Sequence, residues 1–149
     1  TLRSYLLGGG FLMVDDFWGR AEWDVFHRAL KQVFPEREPV DLPRSHPIFH
    51  CVYDLPEDKP LQSPNMRAAI AGLDTGVTWE DGHAGGDTRE PHFRAVLDDH
   101  DRIMVMICHN TDTGDGWEEE TADPRFFQVF SANRNYPLGI NILFYAMTH

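Results

Sequence analysis

Basic side chains are scarce in this chain: 13 Lys and Arg stand against 24 Asp and Glu, a formal net charge of −11. Phosphate neutralisation needs clustered Lys and Arg, so nucleic acid is excluded as a partner and anionic membrane surfaces are disfavoured. Cations, basic proteins and neutral ligands stay open. Cysteine is nearly absent. Cys51 and Cys108 are too few for a disulfide framework, and one optional bridge would not settle the compartment. No run approaches the ~20 apolar residues of a membrane helix. No signal peptide is visible, but the chain opens with Thr1 rather than Met, so a processed or truncated start is expected and the missing leader decides little. Internal repeats and low-complexity linkers are missing too.

What is present suits one core: 149 residues, 42% of them hydrophobic, read as a single α/β domain over 1–149. The organising stretch is Leu6–Gly19. A helix over Leu2–Leu7 ends in a glycine run, and an apolar strand over Phe11–Val14 follows. Such a run fits a strand buried on both faces, as in a parallel sheet. Asp15 and Asp16 stop it, at the carboxyl edge where open α/β sheets collect ligands. Helical spacing of Trp23, Phe26, Leu30, Val33 and Phe34 predicts a helix from Ala21 to Phe34. Weaker signals suggest a strand at Pro39–Leu42, a helical turn at Ser45–His50, a short helix at Met66–Leu73 and a strand scrap at Val77–Trp79. Glu80–Pro91 reads as a Gly-rich polar loop. Phe93–Leu97 and Arg102–Cys108 form the clearest hairpin. A helical turn within Pro124–Phe130 and a closing helix over Pro137–Met147 complete the pattern.

Five segments in order carry a resemblance: residues 2–19, His-Pro-Ile-Phe-His (46–50), Arg-Glu-Pro-His (89–92), Asn-Thr-Asp-Thr-Gly-Asp-Gly-Trp-Glu (110–118) and Pro-Leu-Gly-Ile-Asn (137–141). Together they resemble the bacterial domain-of-unknown-function family 4159. The resemblance implies a Rossmann-like, three-layer α/β fold with a mixed, mainly parallel sheet, similar to class I glutamine amidotransferases and trehalose-utilisation-like proteins. It also implies upstream strands before Thr1, so that 1–149 would be the C-terminal portion of a longer domain, and it favours an extracytoplasmic (periplasmic) location. It brings no established activity, and a fold alone gives none.

An amidotransferase-type enzyme needs a nucleophilic Cys on a sharp strand-to-helix turn. That turn here carries Asp15, Asp16, Phe17 and Trp18. Cys108 adjoins His109, but neighbouring strand residues point to opposite faces, so both cysteines read as core. A metal site is the stronger catalytic idea, with Asp16, His46, His50, His109 and Asp112 as ligands. Mixed imidazole and carboxylate donors suit a divalent transition metal better than calcium. The segment from Asn110 to Gly116 resembles a calcium loop, but lacks the EF-hand pattern at Gly114 and its closing Glu. Against the metal, Asp and Asn commonly cap helices and satisfy loop backbones. Trp18, Trp79 and Trp117 fall in predicted turns and suit either stacking on a sugar or partner, or tethering of loops. The acidic run Glu118–Glu120 with Asp123 reads as a solvated face or as a docking surface for a basic partner.

The expectation that follows is a non-enzymatic interaction or ligand-binding module, as an accessory subunit of a larger assembly, with no cofactor. Its ligand residues would be Asp15, Asp16, Trp18, His109, Asn110, Asp112, Asp115 and Trp117. A protein partner would complete the sheet or dock on the acidic face. A metal-dependent hydrolase and a carbohydrate-binding domain are the alternatives.

Overall fold

Hydrophobic alternation places two strands where it should. In the computed structural model, which describes residues 1–149, the hairpin is β3 (His92–Leu97) and β4 (Ile103–His109). β4 is buried along its whole length. Leu97 faces Ile103 while Val96 faces Val105, so Met104 is an extra residue on β4, a β-bulge. The sheet has the order β1-β4-β3-β2, with β1 spanning Leu12–Val14 and β2 Val40–Asp41. Only β1 and β4 are parallel. The β4–β3 and β3–β2 pairs are antiparallel. The sheet is therefore mixed but not mainly parallel, because the tight hairpin forces one reversal and β2 adds another.

β1 is an edge strand. Its three residues are half-buried rather than buried on both faces. A continuous apolar run cannot tell a central strand from an edge strand whose faces are covered by helices. Val77–Trp79 forms no strand.

Helices cover both faces. On one side α1 (Leu2–Leu7) and α2 (Gly19–Val33) bury Leu6, Leu30 and Phe34 against Val96, Met104, Val105 and Ile107. On the other, α6 (Tyr136–Thr148) lays Leu138, Ile142 and Tyr145 on Ala95, Met106 and Cys108. The 3₁₀ turn Pro47–Phe49 joins that second core through Ile48 and Phe49. α3 (Met66–Gly72) and α5 (Pro124–Phe126) share a third, smaller cluster around Ala69, Phe126 and Phe130. A short α4 (Asp115–Glu118) lies in the loop after β4.

Between α5 and α6 the helix widens into a π-helix over Phe127–Asn135, so helical structure runs unbroken from Pro124 to Thr148. The sequence pattern suggested a break there. Asp123 starts the run by accepting the N–H bonds of Arg125 and Phe126. π-Segments are rare and favour functional sites. This one turns Arg134 and Asn135 toward the loops at the carboxyl end of β4. Arg134 Nη1 donates to the Gln62 carbonyl, and Asn135 Nδ2 donates to the carbonyls of Asp112 and Thr113.

Candidate functional site

The parallel strands β1 and β4 end together, and their first turns are locked to each other. The Asp16 N–H donates to the Thr111 carbonyl, and the Asn110 N–H donates to the Phe17 carbonyl. Asp16 and Asn110 both adopt left-handed backbone conformations, with φ of 54° and 60°. Asp and Asn tolerate that region better than other side chains. The turn then enters α2 through Gly19, also left-handed at φ 69°. A β-carbon there would lie 2.7 Å from the Gly86 carbonyl oxygen, so only glycine fits. Gly86 and Ala84 carbonyls accept the N–H groups of Arg20 and Ala21, and the Gly-rich loop thereby caps α2.

That loop delivers Glu80. One oxygen each from Asp16, Glu80 and Asp112 lies within 4.8 Å of the others. A cavity of about 320 Å³ opens beside them, lined by Asp15, Asp16, Asp112, Asp115 and Glu118 with Met13, Gly114 and Trp117. Five carboxylates line it and no Lys, Arg or His does.

All of these carboxylates except Glu118 are oriented by a donor. Trp18 Nε1 donates to Asp16 Oδ1 at 3.2 Å, the Asn65 N–H to Glu80 Oε1 at 2.8 Å, and the Asp115 N–H to Asp112 Oδ1 at 2.9 Å. Asp15 Oδ2 accepts from the N–H groups of Thr113 and Gly114, and Asp115 Oδ2 from that of Met66. Asp15 Oδ1 is buried without a partner.

Burial pushes the Asp112 carboxyl up to about 8; the Asp115 N–H opposes this, while the charges of Asp16, Asp115 and Asp15 add to it. Asp15 is pushed up to about 7 by burial despite its two N–H donors. Asp16 is raised by burial as well, against the Trp18 bond.

The histidines go elsewhere. His109 Nε2 donates to the Gly19 carbonyl, and its Nδ1 accepts from Arg94, with ring stacking on Phe17 and His92. Burial lowers it to about 4, and the charges of Arg94 and His92 work in the same direction. Both nitrogens are used, so His109 is not available as a ligand. His46 caps the 3₁₀ turn by accepting the Ile48 N–H, and its ring lies tilted against that of Tyr145. His50 bonds Asp54 and the Arg44 carbonyl. Of the five residues expected to hold a metal, only Asp16 and Asp112 come together.

Two expected ligand residues are structural. Trp18 is 1% exposed, stacked on His83 and tied to Asp16. Asn110 is fully buried. Its Oδ1 accepts the Gly19 N–H, and its Nδ2 donates to the carbonyls of Asp87 and Glu90. Trp117 is half-buried, and a β-carbon at Gly139 would fall on its ring. It separates the acidic cavity from an apolar one of about 360 Å³ lined by Tyr136, Ile140 and Leu143. Trp79 lies under the Arg89 guanidinium and donates to Asp81.

Glu80 was missed because nothing in its local sequence separates it from the polar loop around it. The glycines were the available signal, since they let the loop approach α2.

The family model for a domain of unknown function, DUF4159, matches residues 1–147. The chain belongs to this DUF4159 family. No curated protein and no solved structure matches it. The matched span includes both strand-end turns, residues 15–19 and 110–118, which contribute to the acidic cavity.

Proposed function

We propose that this DUF4159 domain is a non-enzymatic ligand-binding module whose strand-end cavity takes a positively charged group. The observation that carries the reading is the five-carboxylate lining, free of any basic side chain, at the carboxyl ends of β1 and β4. Like charges so close raise one another's pKa, and a cation relieves that cost. The amidotransferase-like, Rossmann-like fold is part of the same proposal. It is supported by helices on both faces of the sheet and by a parallel strand pair leading into α2. Amidotransferase-type catalysis is disfavoured because Cys108 is fully buried and burial raises its thiol pKa well above the ordinary value.

A role as a subunit of a larger assembly is supported by a separate observation. The outer edge of β1 pairs with no strand, and Leu143, Phe144 and Met147 of α6 are exposed at 63%, 45% and 83%. No helix of the protein is long and apolar enough to cross a membrane.

The test is amide NMR of the whole chain with spermidine and with calcium chloride, each against sodium chloride at equal ionic strength. Shifts centred on Asp112–Gly114 are expected from at least one of the two. No shift beyond the sodium control from either would remove the reading.

A further inference from the structure

α6 carries no charged residue from Tyr136 to Thr148, and it is apolar on two sides. Leu138, Ile142 and Tyr145 lie on the sheet, while Ile140, Leu143, Phe144 and Met147 are exposed. Those four stand at i, i+3, i+4 and i+7, which makes one continuous helix face. A helix that is apolar all round is normally buried. The outward stripe runs for about 10 Å, roughly two turns of a facing helix.

The stripe is shaped as well as apolar. The Trp117 ring stands against Gly139, where no β-carbon would fit, and with Tyr136, Ile140 and Leu143 it walls the cavity of about 360 Å³. Val52 and Tyr53, also exposed, are held beside α6 by N–H bonds to Asn141 Oδ1. Apolar anchors laid into a groove are how amphipathic helices are recognised, and Trp and Tyr are common anchors there.

We infer that this groove is the docking site for an amphipathic helix of a partner protein, with apolar anchors on one face and Lys or Arg beside them. The inference rests on the proposed subunit role and names the chemistry of the partner. Charge complementarity decides the occupant. Trp117 also lines the acidic cavity, so the carboxylates of that cavity lie across its ring, and no Lys or Arg lines either cavity. A basic side chain beside the anchors meets those carboxylates, whereas an acidic one is repelled. A second copy is the poorer occupant. Two-fold pairing of α6 with itself brings both acidic cavities to one interface, in a chain whose net charge is already −11. Anionic lipid meets the same repulsion.

The whole chain is titrated into three fluorescent peptides of about 14 residues each, long enough to form helix on binding. One has leucine at i, i+3, i+4 and i+7 with lysine elsewhere, the second has glutamate for lysine, and the third has serine for leucine. The leucine–lysine peptide should saturate one-to-one by anisotropy, about tenfold or more tightly than either of the others. Leu143→Ser with Met147→Ser should weaken it about tenfold. Val25→Ser, at an exposed apolar position of α2 on the other face of the sheet, should leave it unchanged. All three positions are exposed, and circular dichroism verifies folding. Equal binding of the glutamate or serine peptide, or equal weakening by Val25→Ser, overturns the inference. Flotation with phosphatidylcholine vesicles without peptide binding assigns the face to lipid and overturns it too. If no peptide binds and the wild type sediments as a dimer that Leu143→Ser with Met147→Ser dissociates, the subunit reading stands and a second copy replaces the partner helix. A monomer that binds none of these overturns the inference and leaves the subunit reading resting on the β1 edge alone.

Discussion

The carboxyl end of β4 divides two cavities that spend their charges in opposite ways. On the α6 side, Asp15, Asp16, Asp112 and Asp115 keep oxygens without protein partners or satisfied only by amides. On the α2 side, a cavity of about 240 Å³ gathers Arg20, Asp24, Asp87, His92, Arg94 and His109 around Trp23. There Arg94 is used up: it pairs with Asp41 at 2.9 Å, donates to His109 and lies 4.2 Å above the Trp23 ring. Arg94 and His109 at its centre are partnered within the protein and serve as packing with polar atoms. A single-sign cluster gathered around a buried Asp112 has no counter-charge of its own. The difference explains why the imidazoles expected to serve a metal do not reach the acidic side.

The largest expected effect comes from breaking the wall between the two. Asn110→Ala deletes three side-chain hydrogen bonds, one buried and two part-buried, and puts a non-glycine residue at φ 60°. Orphaning the Gly19 N–H and the Asp87 and Glu90 carbonyls should cost about 4 kcal/mol in denaturant unfolding. A loss below about 1 kcal/mol would mean that the two turns are held by something else.

The acidic side should show itself in pH dependence. Asp15 and Asp112 have folded pKa values raised to about 7 and about 8. Neutral carboxyls are thus favoured in the folded state. The stabilisation they give is complete below the ordinary Asp value near ~4 and is lost as pH rises through about 7 and about 8. Melting without divalent cations should show stability falling steadily between pH 5 and about 8. The loss should be smaller in Asp112→Asn. A flat profile in the wild type would contradict the burial of these groups.

Trp117→Ala sharpens the comparison at the rim. The ring is half-buried against Gly139, so truncation should cost about 2 kcal/mol, less than the ~3–5 kcal/mol of a fully buried aromatic. The amide shifts that a cation induces at Asp112–Gly114 should be retained, which NMR reads directly. Their loss would make Trp117 part of the site.

The smallest effect belongs to the self-satisfied side. By NMR titration His109 should show no inflection near the ordinary ~6.5 and should charge only near pH 4. His83, raised by its bonds to Glu22 and Glu80 in spite of burial, should titrate above that ordinary value. An inflection of His109 near neutrality would show that the ring is not buried in solution.

Local pattern determined much of this protein. Period-2 and apolar runs marked β1, β3 and β4; the spacing of Trp23, Phe26, Leu30 and Phe34 marked α2; and strand ends marked Asp15, Asp16 and Asp112 as residues of one edge. These signals are readable because each depends only on neighbours along the chain. Tertiary structure decided the rest. β1 became an edge strand, and only one of three strand pairings ran parallel, because pairing order depends on contacts between distant segments. Glu80 replaced the histidines because a glycine-rich loop docks on the start of α2, 61 residues before His83 at their contact with Glu22. The π-segment carried Asn135 under Asp112 through a widening of the helix that residue spacing does not encode. Sequence named the carboxylates; long-range packing chose which of them share a cavity and which histidines were already spoken for.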